Sequence, residues 1–496
     1  MTPTPPAAPG SARPRRAPRP QAPGGGGTPP ELLELDAGAP AHGGFCVARK
    51  DDDPTGVVVL VRHCLPGERV RARVTARASR VWYAEAVEVL RASPDRVSPV
   101  WAEAGPGGVG GGELSHVALD AQRTWKRWVL ADCLRRIGGG DVVQAVEALP
   151  GAAPGQAVAV EAMPSELAAQ ASDDPRTRAR AGTRTRTRVS LEVTAQGRAG
   201  MHGFRSGQVL EVRQLPLAVA PIQQLGLTQD RRWRHHYRPG ARLTAVAPST
   251  GEPLVVVGEE VLTARARPTG RRRVTEVVDA TALGLGELRY QVHVGGFWQV
   301  HRDAPRVLTE RVVRAVVEDH PAAAGGRPGP GAPGASAPGA GTLRADGLRV
   351  LELYSGSGLL TLPLAALGAR VTCLEGSAQA VADARRNLHD HPDARLVTGA
   401  VTADSVTELG SSFGPGRGWG ADVVVLDPPR RGAGRQVVEA VAALGPSRVV
   451  LVACDPAALA RDLAAFLGLG FRLGDLAALD MFPHTHHLEA VAVLTR

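Results

Sequence analysis

The chain has 496 residues, 43% of them hydrophobic and 22% charged, which predicts about two to four folded domains rather than a disordered polypeptide. The formal net charge of +9 suggests an acidic partner such as nucleic acid. Nearly all the basic residues are arginine, however, and a GC-rich coding bias would also produce an excess of arginine. The sequence contains no apolar run long enough to span a membrane, no N-terminal hydrophobic signal and no C-x-x-C pair among its five cysteines. We therefore expect a reduced, cytoplasmic protein without a disulfide framework.

The N-terminal region divides into a tail and a short β-rich segment. Residues 1–30 are rich in Pro, Ala, Gly and Arg, and we expect them to form a disordered basic tail. Residues 31–92 contain several short β-type runs, with strands predicted at 57–62, 68–75 and 82–89. Such a pattern favours a small OB-like barrel of the kind that binds RNA. The alternation of Arg69, Arg71 and Arg73 places them on one face, which either contacts RNA or is simply solvated.

The central region, residues 93–289, combines a predicted helix with further strands. Apolar spacing predicts a helix over 113–137, ended by the three glycines at 138–140. A β-rich stretch follows at 183–212. Residues 176–188 hold six arginines and no acid, and for this patch we favour RNA contact over a bare solvated face.

From residue 290 to the C-terminus the pattern is that of a catalytic α/β domain. A helix is predicted at 304–320, and a Pro- and Gly-rich insertion follows at 321–347. Strand and helix patterns then alternate, which predicts a parallel, doubly wound, Rossmann-like sheet. The first strand leads into a turn with Gly356 and Gly358 that can approach a ligand closely, and Glu375 ends the second strand.

Two further strand ends carry residues suited to chemistry. Asp427 is followed by two prolines, which favours a flat slot for a planar base over a plain stiffened turn. Cys454 precedes Asp455 and Pro456 at the start of a predicted helix, where the helix dipole is expected to favour the thiolate. Glu489 opens the last strand and is expected to face the same cleft, although a solvated edge position is the alternative.

The histidines at 484, 486 and 487 do not have the spacing of a usual metal site, and we predict no metal there.

Together these motifs resemble the RNA uracil-5-methyltransferases that modify 23S rRNA and tRNA. The resemblance rests on LYSGSG at 353–358, DPPRRG at 427–432, CDPA at 454–457, FPHTHHLE at 482–489 and GGFWQ at 295–299. Residues 31–90 are similar to the TRAM domain of that family. The resemblance covers nearly the whole chain apart from the tail and the insertion.

The resemblance implies a class I fold and S-adenosylmethionine as the methyl donor. Family positions for cofactor binding correspond to Gln299, Tyr354, Gly356, Gly358, Glu375 and Asp427. Cys454 corresponds to the nucleophile that adds to C6 of uracil, and Glu489 to the base that removes the C5 proton. RNA cytosine-5 enzymes place a second cysteine in the motif that contains Asp427, and its absence here favours uracil.

One departure from the family pattern bears on the cofactor, and the substrate has several alternatives. Many relatives bind an iron–sulfur cluster near the TRAM boundary, but residues 110–116 contain no cysteine, so we predict no cluster. We expect 23S rRNA as the substrate, with the tRNA T-loop as the alternative. Methylation of an exocyclic amine and RNA binding without turnover remain further alternatives. Neither a membrane partner nor an obligate protein partner is indicated.

Overall fold

The computed structural model describes residues 31–50, 53, 55–318, 343–411 and 420–496. The expected tail at 1–30 and most of the expected insertion at 321–347 lie outside these residues. Within the described parts, no helix is long and apolar enough to cross a membrane.

The N-terminal part is a six-stranded sheet with the order β1-β5-β6-β4-β3-β2. Its strands are β1 Leu32–Asp36, β2 Pro40–Ala41, β3 Phe45–Arg49, β4 Val58–Arg62, β5 Arg69–Arg77 and β6 Val81–Arg91. The long strands β5 and β6 carry three register irregularities, and such bulges increase strand twist. The sheet therefore curls, and β1 comes into contact with β3.

The alternating arginines of β5 face carboxylates of the same sheet. Arg69 lies 2.8 Å from Asp36, Arg71 lies 3.1 Å from Glu34, and Arg73 lies 3.3 Å from Glu85. Because each positive charge has an acidic partner, the structure favours the solvated-face interpretation of this stripe over an RNA-contacting one.

A helical segment follows and packs on the C-terminal sheet. Its elements are α1 Leu119–Cys133, a π-helical turn Leu134–Gly138, α2 Gly140–Glu147, β7 Val160–Glu161, α3 Pro164–Gln170 and α4 Pro175–Arg178. The helix predicted from residue 113 begins six residues later, after turns in which Ser115 N donates to Gly112 O and Val117 N donates to Leu114 O, each at 3.0 Å. Strand β7 pairs with the last sheet, so this part of the expected central domain joins the C-terminal architecture.

The remaining central region is an antiparallel sheet followed by a hairpin. The sheet has the order β10-β9-β8-β11-β12-β13, and the hairpin pairs β14 with β15. The elements are β8 Arg188–Val193, β9 Ala199–His202, β10 Val209–Glu211, α5 Ala220–Gln224, β11 Arg242–Val246, β12 Leu254–Val257, β13 Glu260–Thr263, β14 Arg273–Asp279 and β15 Glu287–His293.

The C-terminal part is an eight-stranded sheet with helices on both faces and the order β18-β17-β16-β19-β20-β22-β21-β7. Its elements are α6 Ala304–Val317, β16 Arg349–Leu353, α7 Thr361–Ala366, β17 Arg370–Glu375, α8 Ala378–Asn387, β18 Arg395–Thr398, α9 Ala403–Ser411, β19 Val423–Leu426, α10 Arg435–Ala443, β20 Arg448–Ala453, α11 Pro456–Gly468, β21 Arg472–Leu479 and β22 Glu489–Thr495.

The prediction of an all-parallel sheet is wrong at its C-terminal end. Strand β22 runs antiparallel to both β20 and β21. A loop without a helix joins β21 to β22, and strands joined in that way pair antiparallel rather than through a crossover. The reversal brings the start of β22 to the edge at which β16, β17, β19 and β20 end.

Candidate active site

The loop after β16 forms one wall of a cleft at the carboxyl edge of the sheet. Tyr354, Gly356 and Gly358 have φ angles of 66°, 56° and 88°, in the left-handed region that glycine adopts at low cost. The cleft has about 510 Å³ of empty space. Four of the predicted cofactor residues line it, namely Gln299, Tyr354, Gly356 and Asp427.

Glu375 ties this loop to the end of β17. Its carboxylate accepts hydrogen bonds from the backbone N–H of Gly356 at 3.0 Å and of Ser377 at 2.7 Å. Each oxygen keeps a further lone pair, so Glu375 can still accept a hydrogen bond from a ligand. Neither Glu375 nor Gly358 is part of the cleft lining in the described chain.

The cleft is acidic, and its acids are buried. Burial, together with the nearby charges of Asp427 and Glu375, raises the pKa of Glu352 to about 8, although a hydrogen bond from Thr361 opposes the rise. Burial, and next the charge of Glu375, raises the pKa of Asp427 to about 6. A cation bound in this cleft would favour the ionised form of each group, so the lining suits a positively charged ligand.

Cys454 and Glu489 meet at the same edge because of the register of two antiparallel strands. Ala453 pairs with Ala490, so Cys454 directly after β20 lies across from Glu489 at the start of β22. Cys454 is partly exposed, whereas Glu489 is buried and its Oε1 has no hydrogen-bond partner among the described residues. Asp455 accepts a hydrogen bond from Ala458 N at 2.8 Å and so caps α11, as its position after the cysteine predicts.

The surroundings of Cys454 disfavour the thiolate that the helix N-terminus is expected to favour. Burial, the charge of Glu489 and the charge of Asp427 raise the pKa of Cys454 to about 12, although Arg430 opposes the rise. Burial and the charge of Asp427 also raise the pKa of Glu489 well above its ordinary value, again against Arg430. Burial is the largest cause of both rises, because a thiolate and a carboxylate lose hydration in a site shielded from water.

The loop between β21 and β22 is held by specific side-chain contacts. Each histidine has a polar neighbour: His484 Nδ1 lies 3.2 Å from Gln122, His486 lies 3.8 Å from Glu113, and His487 lies 3.2 Å from Arg430. Within the described ranges, no group of three or more His, Cys, Asp or Glu side chains is arranged to hold a metal ion. These contacts fix the loop that leads directly into Glu489.

Residues 110–116 do not fit an iron–sulfur cluster, because their donor set contains no thiolate. Gly112 instead packs closely on Trp101 and Ala104, with room for no side chain. Glu113 is buried in this segment and accepts a hydrogen bond from Gly111 N at 3.0 Å.

Sequence reasoning assigned no role to three residues that the fold brings to the site. Phe297 lines the cleft and is 71% exposed, unlike most large apolar side chains of the chain. Arg430 faces both Cys454 and Glu489. His42 comes from the N-terminal sheet and contacts Asp455. Phe297 and Arg430 lie inside recognised motifs and could have been singled out, whereas His42 carries no sequence signal.

A solved structure with this fold is the tRNA (uracil-54, C5)-methyltransferase of Pyrococcus abyssi in complex with S-adenosyl-L-homocysteine, 22% identical, with a TM-score of 0.57 over 91% of this chain and 99% of that one.

A family model described as tRNA (Uracil-5-)-methyltransferase matches residues 342–496. An uncharacterized RNA methyltransferase of Bifidobacterium longum is 34% identical over 92% of this chain and 95% of its own length. A 23S rRNA (uracil(1939)-C(5))-methyltransferase of Halomonas elongata is 32% identical over 92% of this chain and 87% of its own. The chain therefore belongs to the RNA (uracil-5-)-methyltransferase family and is an enzyme of that class, which uses S-adenosylmethionine as the methyl donor.

Proposed function

We propose that this enzyme methylates C5 of a uracil in 23S rRNA, with Cys454 as the nucleophile and Glu489 as the base. The observation that carries the proposal is the position of Cys454 across from Glu489, beside a cleft that suits a cationic cofactor. The choice of 23S rRNA is supported by relatives at 29–32% identity that carry that activity in their names.

The cleft residues fit the methyl donor. Asp427 would provide negative charge for a positively charged ligand, while Leu359, Leu360 and Val452 provide apolar surface. Gln299 and Tyr354 would complete the binding of the cofactor, and Glu375 would accept hydrogen bonds from its ribose. When bound, S-adenosylmethionine supplies an electrophilic methyl group on a sulfonium.

Cys454 activates the uracil ring for methyl transfer. Its thiolate adds to C6 of uracil and forms a C–S bond, while the electrons of the C5–C6 double bond move toward C5 and the C4 carbonyl. C5 then becomes nucleophilic enough to form a bond to the methyl carbon as the bond from that carbon to the sulfonium sulfur breaks. Without such activation, C5 of uracil is a poor nucleophile.

Glu489 completes the reaction. Its carboxylate takes the proton from C5, the C5–C6 double bond re-forms, and the thiolate of Cys454 leaves C6. Arg430 favours the ionised forms of both residues, because it opposes the rise in their pKa values. The buried and unpartnered Oε1 of Glu489 is available for this proton.

The expected division into domains fits this function. We assign residues 31–92 to a TRAM-like RNA-binding module, 93–289 to a central RNA-binding region, and 290–496 to the catalytic domain. The curled β1–β6 sheet supports the first assignment, and the contact of His42 with Asp455 keeps that module against the catalytic edge.

The test is tritium release from RNA that carries uracil labelled at C5, in the presence of S-adenosylmethionine. We expect release by the wild type and none by Cys454→Ala, with 23S rRNA preferred over tRNA transcripts. Cys133→Ala serves as the control, because Cys133 is a buried cysteine on α1. Release from tRNA alone would overturn the 23S assignment, and equal release by Cys454→Ala would overturn the mechanism.

A further inference from the structure

A second cleft lies in the central region and is rimmed by arginine. It has about 1140 Å³ of empty space, and among the described residues its lining includes Arg180, Arg184 and Arg213 but no Asp or Glu. Leu215, Ile222 and Leu227 form apolar lining and are buried. Positive charge beside apolar surface is the combination that binds a nucleic-acid strand through its phosphates and sugars.

The three guanidinium groups of this arginine groove are free to bind a ligand. Within the described part of the chain, none of them forms an ion pair, in contrast to the arginines of β5. Two acids near these arginines have backbone partners: Asp174, which also interacts with the charge of Arg180, accepts from backbone N–H groups of α4, and Glu103 accepts from Arg213 N at 2.9 Å. These hydrogen bonds hold the backbone of the groove walls, so the three arginine side chains remain available to a ligand.

The walls of the arginine groove are joined by backbone hydrogen bonds. Arg184 N donates to Pro216 O at 3.1 Å, and Thr185 N donates to Leu217 O at 3.0 Å. Arg184 itself has a φ of 55°, an unusual conformation for arginine that these bonds maintain. The backbone that carries Arg184 is therefore held in place before any ligand binds.

The same chain segment connects the groove with the active site. Gly182 packs so closely on His484 that a Cβ there would lie 3.2 Å from its ring, and His484 belongs to the loop that leads into Glu489. Thr187 N donates to Val300 O at 2.8 Å, one residue after Gln299. An RNA strand bound in the arginine groove could thus continue toward the cleft that Gln299 lines.

We infer that the arginine groove binds the sugar–phosphate backbone of the RNA next to the target uracil. Each of the three arginines neutralises one phosphate, and the apolar lining accepts ribose and base surface. The inference rests on the proposed function, because it names how the RNA of that reaction is held.

The experiment compares RNA binding by two triple variants of equal charge. The groove variant carries Arg180→Gln, Arg184→Gln and Arg213→Gln. The control carries Arg271→Gln, Arg289→Gln and Arg344→Gln, three exposed arginines that pair with Glu252, Glu287 and Asp346. The probe is protein-free 23S rRNA transcript, titrated at several salt concentrations.

We expect the groove variant to lower the slope of log affinity against log salt by about two to three, since each lost phosphate contact removes about one. The control should keep the wild-type slope, and both variants should keep wild-type affinity for S-adenosyl-L-homocysteine. A triple Arg→Lys variant should restore the slope. An unchanged slope in the groove variant would overturn the inference.

This test distinguishes RNA binding by the arginine groove from the methyl-transfer reaction. At saturating RNA, the groove variant should retain the wild-type kcat while its KM for RNA rises. If the proposed function itself fails, the wild type binds RNA but releases no tritium from C5, and the salt slopes still report on the groove.

Discussion

Nε2 of His42 lies 2.9 Å from a carboxylate oxygen of Asp455, although the two residues are 413 positions apart in the chain. His42 belongs to the loop between β2 and β3 of the curled N-terminal sheet, and Asp455 follows Cys454 and caps α11. Gly44 of the same loop packs on His486. The N-terminal sheet therefore contacts the two segments that lead from Cys454 and into Glu489.

Replacing His42 should slow methylation without affecting cofactor binding. His42→Ala removes a partner of Asp455 and loosens the start of α11, and an exposed pair of this kind contributes up to about 1 kcal/mol. We expect a loss of up to about fivefold in kcat. The control is His202→Ala, because His202 also lies 2.9 Å from a carboxylate, that of Glu192, but is in the central sheet. Equal losses in both variants would contradict a specific role for His42.

RNA that contains 5-fluorouridine should trap the enzyme through Cys454. Fluorine at C5 cannot be removed as a proton, so the adduct formed at C6 cannot break down after methyl transfer. We expect a covalent RNA–protein complex on a denaturing gel with the wild type and with Cys46→Ala. Cys454→Ala should form no complex. A complex that persists in this variant would show that another residue is the nucleophile.

Glu489→Gln should separate the two halves of the reaction. Glutamine cannot accept the C5 proton, so the covalent intermediate should accumulate on ordinary uracil RNA, and turnover should fall by about 10² to 10⁴. Glu439→Gln, on the exposed side of α10, is the matched control and should turn over normally. Loss of turnover without an accumulated intermediate would place the defect before addition at C6.

The raised pKa of Cys454, about 12, predicts a strong pH dependence. The thiolate fraction grows tenfold for each pH unit below that pKa. We therefore expect kcat/KM for RNA, which reports on the free enzyme, to rise about tenfold per unit between about pH 6 and pH 9. A flat profile over this range would show that the thiolate is already formed at pH 6.

Glu352 should make the stability of the protein depend on pH. The pKa of this buried carboxyl is raised to about 8 in the folded protein, so the proton it holds stabilises the fold fully below the unfolded pKa near 4.5. That contribution falls progressively as the pH rises above the unfolded pKa and is fully lost above about 8, a change on the order of 5 kcal/mol.

Glu352→Gln, which cannot titrate, should therefore flatten the dependence of the free energy of unfolding on pH between 5 and 9. Denaturant titrations at several pH values measure this, with the exposed Glu252→Gln as the control. If the wild type and Glu352→Gln respond to pH in the same way, the carboxyl is not protonated in the folded state.

Much of the site could be predicted from the sequence because parallel strands end at one edge of their sheet. Each strand is a short apolar run, and the residue after it is fixed by chain order. Chain order alone therefore places the turn with Gly356, the acid Asp427 and the cysteine Cys454 at one edge. The cap formed by Asp455 could also be predicted, because a helix N-cap depends on neighbouring residues alone.

Other features depend on residues that are distant in the chain, and only the tertiary structure decided them. The reversal of β22 sets Glu489 across from Cys454, and His42 reaches Asp455 from another sheet. Arginines of β5 form ion pairs, whereas Arg180, Arg184 and Arg213 line a groove without forming ion pairs among the described residues. The difference arises because the fold decides which acids lie near each arginine. The pKa of Cys454 also depends on the tertiary structure: the helix start next to it could be predicted from local sequence, but the burial and the charges of Glu489 and Asp427 that raise its pKa come from the packed fold.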